Sequence, residues 1–363
     1  MRTRTPAGAV ALATVAAAVG VTGSSPVATA SEHRSPVIRV ITRHLDGPFG
    51  LVATAGGRYL VAENVSGQVT LVRPNGSQRV LMRGANAVAG VAVGPRHVFA
   101  VLGGPDETGQ APAGKYPTSS LLRSDRGGRH VKVLADLAQY ELDHNPDGQV
   151  QLVNGKPVDA LSNPFSMLRT TGGLLVADGG ANDVLRVDVS TGRVSTFFVP
   201  PTVTDVAACL SPKAQSNPGT VGCDPVPTGV AAAGGSVYVS TLGAEVPGAG
   251  KVYKLNARTG RVQRVWNGLT APTGIAVRSD GTIYVSEVLH GAPAGNPPAG
   301  FNPASVGRLT RIKHGRITHT HVTMPTGLSL RHGRLYASAW SIASFLGIQH
   351  VGRVVRVRPS SFH

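Results

Sequence analysis

The sequence predicts an all-β, six-bladed β-propeller of four-stranded blades, closed by its N-terminal strand. Three observations carry this. A short pattern recurs six times: Pro227-Thr228-Gly229, Pro272-Thr273-Gly274 and Pro325-Thr326-Gly327 are nearly identical, and weaker copies start at Pro48-Phe49-Gly50, Ala89-Gly90 and Pro164-Phe165-Ser166. Each copy is followed by a small-residue apolar run, a Gly turn and a second apolar run, a spacing that indicates a radial array of sheets. The last repeat holds only three strands, and the missing fourth lies at Val37-Ile38-Arg39-Val40-Ile41, near the other end of the chain. A ring closed in this way leaves no exposed sheet edge between its first and last blades.

The elements follow in order. The first thirty residues read as a signal peptide: Arg2 and Arg4, an Ala/Val-rich stretch, then a small-x-small cleavage site at Ala28-Thr29-Ala30. The mature chain, 31–363, is expected to begin near Ser31 as one domain, exported, with no transmembrane segment. In the fifth repeat, Gly274-Ile275-Ala276-Val277 reads as an inner strand and Ser279-Asp280-Gly281 as a tight turn. Residues 282–286, 307–312 and 316–322 then read as the second, third and outer strands. Gly and Ala suit the inner strands because the sheets converge at the axis. The second strands are almost continuously apolar because neighbouring blades cover both their faces.

In such a meander the turns from first to second strand and from third to fourth lie on one face, and here all are short. The long connections, 103–119, 135–161, 200–226, 289–305 and 340–350, fall on the opposite face. Long loops gathered on one side of a rigid scaffold mark it as the working side. Within 135–161, Asp136 is expected to cap a short helix through Leu142, with Gln139 closing a capping box. This insertion either covers the channel mouth or packs on the neighbouring blade. Cys209 and Cys223 share one of the long connections, and export makes a disulfide between them the expectation. Closing a loop of that size stabilises by about 3 kcal/mol in the chain-entropy model.

The second strands end at the elaborated face with Glu63, Leu102, Asp178, Thr241, Glu287 and Ala339. Glu63, Asp178 and Glu287 therefore occupy equivalent places in alternate blades. Turned inward, they would share a divalent cation such as Ca, with Asn64 and Asn182 filling further oxygen positions. They would equally serve as acid and base. Alternatively, each carboxylate caps turn amides or pairs with an Arg. His144 and His290 belong to the face insertions, and His319 and His321 alternate along an outer strand. No Gly-x-Ser-x-Gly elbow, phosphate loop or metal-binding helix pattern occurs.

The formal net charge is +16, and +14 without the leader, mostly from Arg. The basic residues are scattered singly, which argues against a specific nucleic-acid footprint and leaves adhesion to an anionic cell envelope as the use of the charge.

The segments Asp136-Leu137-Ala138-Gln139-Tyr140-Glu141, Asn145-Pro146-Asp147, Ser162-Asn163-Pro164-Phe165 and Val176-Ala177-Asp178-Gly179-Gly180-Ala181-Asn182-Asp183 resemble the ScyD/ScyE family of secreted bacterial proteins. The resemblance runs over nearly the whole mature chain and implies a propeller related to the NHL-repeat, gluconolactonase and strictosidine-synthase groups. That family has no settled activity. The long-loop face makes a secreted binding or scaffolding module, taking a small molecule, glycan or peptide, the first reading beside that resemblance. The alternative it implies is a metal-dependent extracellular hydrolase or lyase.

Overall fold

Six antiparallel sheets of four strands follow one another along the chain, each ordered as a meander from axis to rim. The structure, a computed structural model, describes residues 38–363 apart from 86, 106–113, 158–160, 212–216 and 296. The leader and the expected start at Ser31 lie outside those residues. Blade one runs from Pro48–Thr54 to Gln78–Met82, blade two from Val88–Val93 to Lys132–Asp136, and blade three from Pro164–Thr170 to Val194–Phe198. Blade four comprises Pro227–Ala233, Ser236–Thr241, Gly250–Asn256 and Val262–Leu269. Blade five comprises Pro272–Val277, Ile283–Glu287, Arg308–Lys313 and Arg316–His321. The last blade takes Leu328–Arg331, Arg334–Ala339 and Gly352–Val357 from the C-terminal part, and its outer strand is the N-terminal Ile38–Leu45. That pairing, Ile38 opposite Val357 and Leu45 opposite Gly352, closes the ring as the repeat count requires.

The Pro-Thr-Gly motif marks the contact between successive inner strands. Thr228 Oγ1 donates to the Pro272 carbonyl at 2.8 Å, Thr273 to that of Pro325 at 3.0 Å, and Thr326 to that of Pro48 at 3.0 Å. The three clear copies are thus the three blades whose Thr reaches the next blade. Glycine follows because the neighbouring backbone leaves no room: a Cβ on Gly274 would meet the Thr326 carbonyl oxygen, and one on Gly327 that of Phe49. A second bond repeats in every blade, from the N–H just past the second strand to the carbonyl before the first. It joins Asn64 to Gly47 at 2.8 Å, Gly179 to Asn163 at 3.1 Å, and Val288 to Ala271 at 3.1 Å, with counterparts at Gly103, Leu242 and Ser341.

The helix in the 135–161 insertion spans Leu137–His144, and the Asp136 side chain accepts the Gln139 N–H at 3.0 Å as its N-cap. The capping box does not close. Gln139 Nε2 turns outward to Asp143 Oδ1 at 2.8 Å, an i to i+4 contact on the exposed face. Asp136→Ala should therefore lower stability by about 1 kcal/mol, read as a shifted denaturant midpoint. Cys209 and Cys223 are bonded and fully buried, packed against Val203 and Ala249, so the 200–226 connection is stapled to itself.

Candidate functional site

Glu63, Asp178 and Glu287 hold equivalent positions, as the repeat register predicts, and all three are buried. Each accepts a main-chain N–H from the link that leads into its own blade. Asp46 N–H reaches Glu63 Oε2 at 2.7 Å, Asn163 N–H reaches Asp178 Oδ1 at 2.6 Å, and Thr270 N–H reaches Glu287 Oε2 at 2.7 Å. Their other oxygens are also engaged. Glu63 accepts from Gln68 Nε2 at 3.0 Å and from the Thr70 hydroxyl. Asp178 accepts from Ser162 Oγ at 2.6 Å and the Ala181 N–H at 3.2 Å. Glu287 takes Arg308 in a two-pronged ion pair at 2.8 and 3.0 Å and accepts from the Thr310 hydroxyl.

Each carboxylate thus caps the main-chain amide of its own interblade link, and Glu287 also pairs with Arg308, the contacts of the alternative reading as turn caps and Arg partners. Among the described residues no three or more His, Cys, Asp or Glu side chains form a group placed to hold a metal ion. Asn64 is half-buried, and its N–H serves the repeated interblade bond. Asn182, by contrast, is buried and bridges two loops: its Nδ2 donates to Asp147 Oδ2 at 3.1 Å and its Oδ1 accepts the Val226 N–H at 3.1 Å. Of the histidines, His319 Nδ1 lies 2.9 Å from Thr310 Oγ1 and His321 Nε2 lies 2.9 Å from the Ala304 carbonyl oxygen, so the two are separately engaged. His144 Nδ1 lies 3.0 Å from the Tyr140 carbonyl oxygen, within its own helix.

Asp178 belongs to a second acidic neighbourhood that the sequence reading missed. Directly across the strand pair stands Asp183, fully buried, and neither of its carboxylate oxygens accepts a hydrogen bond. Burial first, then the nearby charges of Asp178, Glu141 and Asp147, hold the Asp183 carboxyl well above the usual carboxylate range. Burial also pushes Asp178 up to about 6, against the opposing pull of Ser162 and three main-chain N–H groups. The signal in the sequence was an acidic residue opening an otherwise apolar strand, Asp183-Val184-Leu185.

The 135–161 insertion packs over this neighbourhood and onto the 200–226 connection. Gln149 Nε2 donates to Asp224 Oδ1 at 2.8 Å, and Gln149 Oε1 accepts from Asn217 Nδ2 at 3.1 Å and Thr220 Oγ1 at 2.9 Å. Gln151 Nε2 donates to Glu141 Oε1 at 2.9 Å. Of the two roles expected for the insertion, packing on the neighbouring blade is the one observed among the described residues.

The central channel is narrow and apolar. Its cavity is about 60 Å³, and its lining comes from the inner strands without a titratable side chain. Phe49 and Phe165 stand where blades four, five and six have Thr, with ring centroids 5.4 Å apart, and they cap one end. They join a cluster on the long-loop face against which Leu289, Phe301, Trp340, Phe345 and Ile348 pack half-buried. The Arg353 guanidinium lies 5.6 Å from the centroid of the Trp340 ring, while half-buried His290 lies near Arg308, Glu287 and His321.

No protein-family model and no curated protein matches the chain. Solved structures do. The chain is similar to a gluconolactonase from Xanthomonas campestris at 12% identity and a TM-score of 0.53, over 88% of this chain and 89% of that one. It is similar to a luciferin-regenerating enzyme at 9% identity and a TM-score of 0.55, over 90% and 97% of the two chains. A PQQ-bound aldose sugar dehydrogenase from Streptomyces coelicolor is similar at 14% identity and a TM-score of 0.50, over 88% and 96%. These likenesses establish the six-bladed propeller fold.

Proposed function

We propose that this chain is an exported, ScyD/ScyE-like propeller that binds a small molecule, glycan or peptide on its long-loop face. The supporting observation is the set of half-buried rings Phe301, Trp340 and Phe345, gathered where Phe49 and Phe165 cap the channel. Aromatic faces beside a cation, Arg353, suit ring-bearing or apolar ligands held at a surface. Export is consistent with the Cys209–Cys223 bond and with the absence, among the described residues, of a helix long and apolar enough to cross a membrane. The positive charge would add adhesion to an anionic envelope, weakened by salt.

The alternative is a hydrolase or lyase of the gluconolactonase type, using a cation such as Ca at Glu63, Asp178 and Glu287, which would have to give up present hydrogen-bond partners to hold it. The structural likeness to a gluconolactonase makes it the reading to test against. The mature chain and its Trp340→Ala variant should be compared on glycan and peptide arrays. Ligands retained by the parent should bind the variant about tenfold or more weakly. Turnover of a sugar lactone that requires added Ca and vanishes in Glu287→Gln would replace the binding reading with the enzymatic one.

A further inference from the structure

Blades five and six hold the chain's own carboxyl-terminal residues between them, and this groove shows what the pattern accepts. Phe362 is buried among Ala276, Tyr284 and Leu309 of blade five and Leu335 and Ala337 of blade six. Its ring centroid lies 5.4 Å from that of Tyr284, and the Arg311 guanidinium stands 5.1 Å over its face. Arg311 Nη2 also donates to the Phe362 carbonyl oxygen at 3.4 Å. The main chain of His363 pairs with that of His319 at 3.0 and 3.1 Å, so the tail extends the outer edge of blade five.

The groove one blade back repeats the plan and is open. Tyr238 and Lys254 form the same cross-strand pair as Tyr284 and Arg311, and each Tyr faces an Ala of the inner strand, Ala231 or Ala276. A cavity of about 410 Å³ lies there between blades four and five, bounded by Tyr238, Lys254, Arg264, Trp266, Asp280 and His314. The outer strand differs in a way that changes the chemistry. Blade five places Thr318 opposite Arg311, whereas blade four places Arg264 opposite Lys254, with Trp266 two residues on. The Trp266 ring lies 6.4 Å from Tyr238 and inclined by 26°, the Arg264 guanidinium 4.8 Å over Trp266, and the Lys254 ammonium 5.9 Å from the Tyr238 ring.

Neither Lys254 nor Arg264 has a carboxylate within ion-pair distance among the described residues, whereas Asp280 on the far lip has Arg278 at 3.4 Å. Two cations without counter-charges, each set against an aromatic face in a concavity of ligand size, favour an anion that also carries a ring. The neighbouring groove meets a neutral carbonyl with one cation; this one offers two. It opens by the short turns 278–282 and 313–316, at the end of the ring away from the long loops. We propose that the groove between blades four and five binds a planar ring bearing an adjacent carboxylate, either a free aromatic acid or the carboxy-terminal aromatic residue of a peptide.

Titration of a Trp340→Phe variant with N-acetylphenylalanine should change the tryptophan emission saturably through Trp266, the one tryptophan then left, so that the long-loop face adds no signal. Arg264→Gln, at an exposed position, should weaken binding about tenfold without changing Tm, and Lys254→Gln should do the same. N-acetylphenylalanine amide should bind about tenfold more weakly, and N-acetyl-leucine should not saturate below about 10 mM. Comparison with Gly-Gly-Phe assigns the source: tighter binding of the tripeptide points to a peptide terminus, weaker binding to a free acid. No saturation by either aromatic acid overturns the proposal. So does equal affinity for the acid and its amide, or unchanged affinity in both Gln variants.

Discussion

Glu287→Ala should cost about 3–5 kcal/mol of stability, because it breaks a buried ion pair by removing one partner. The Glu287 carboxylate is fully buried, while the Arg308 side chain is 21% exposed. Without it, the Arg308 guanidinium, the Thr310 hydroxyl and the Thr270 N–H lose one shared acceptor. Glu287→Gln keeps an acceptor oxygen and should lie between alanine and the parent. Denaturant melts of all three, each with and without a chelator, separate a fastening role from a metal-binding one. Fastening predicts that the chelator leaves the parent unchanged; a chelator-induced loss in the parent that is absent from both variants would assign Glu287 to a cation. A loss below about 1 kcal/mol in Glu287→Ala would contradict the fastening role.

The second large effect is on pH. A carboxyl held above its ordinary value binds its proton more tightly in the folded state, so its contribution to stability falls as pH rises through the interval between the two values. For Asp178 that interval runs from 3.8 to about 6, which corresponds to about 3 kcal/mol. Asp183 adds a loss in the same direction, since its carboxyl also stands well above 3.8. Asp188 and Asp280 are held below 3.8, so their dependence lies at lower pH and runs the other way. Asp183→Asn should leave stability near pH 4 almost unchanged and raise it by about 1–3 kcal/mol at pH 7, because folding no longer has to bury or protonate that carboxylate. Melting curves of parent and variant across pH 4–8 would show this as a widening gap. A gap that is constant with pH would mean that Asp183 is ionised throughout and otherwise satisfied.

Much of the scaffold could be read from residue order. The Pro-Thr-Gly repeats, the apolar second strands and the orphan strand at Val37–Ile41 specify six blades and the closure, because a repeated local pattern reports a repeated local contact. The helix cap at Asp136 and the bond between Cys209 and Cys223 were legible for the same reason: each depends on partners close in sequence. The candidate site was legible in register only. Glu63, Asp178 and Glu287 do occupy matching places, yet whether a side chain turns to the axis or to its own link depends on which unpaired amide is nearer. Here the amides of Asp46, Asn163 and Thr270 are within 2.7 Å.

Sequence alone therefore determined the ring, its closure and the division into a short-turned and a long-looped face. Tertiary structure decided everything that depends on contacts between blades. It buried Asp183 opposite Asp178, brought Phe49 and Phe165 together at the channel, and filled one peripheral groove with Phe362 while leaving its neighbour open beside Trp266. The physical reason is one of range. Strand pattern and turn chemistry are written in neighbouring residues, whereas the environment of a charge or a ring is set by atoms that folding brings from other repeats.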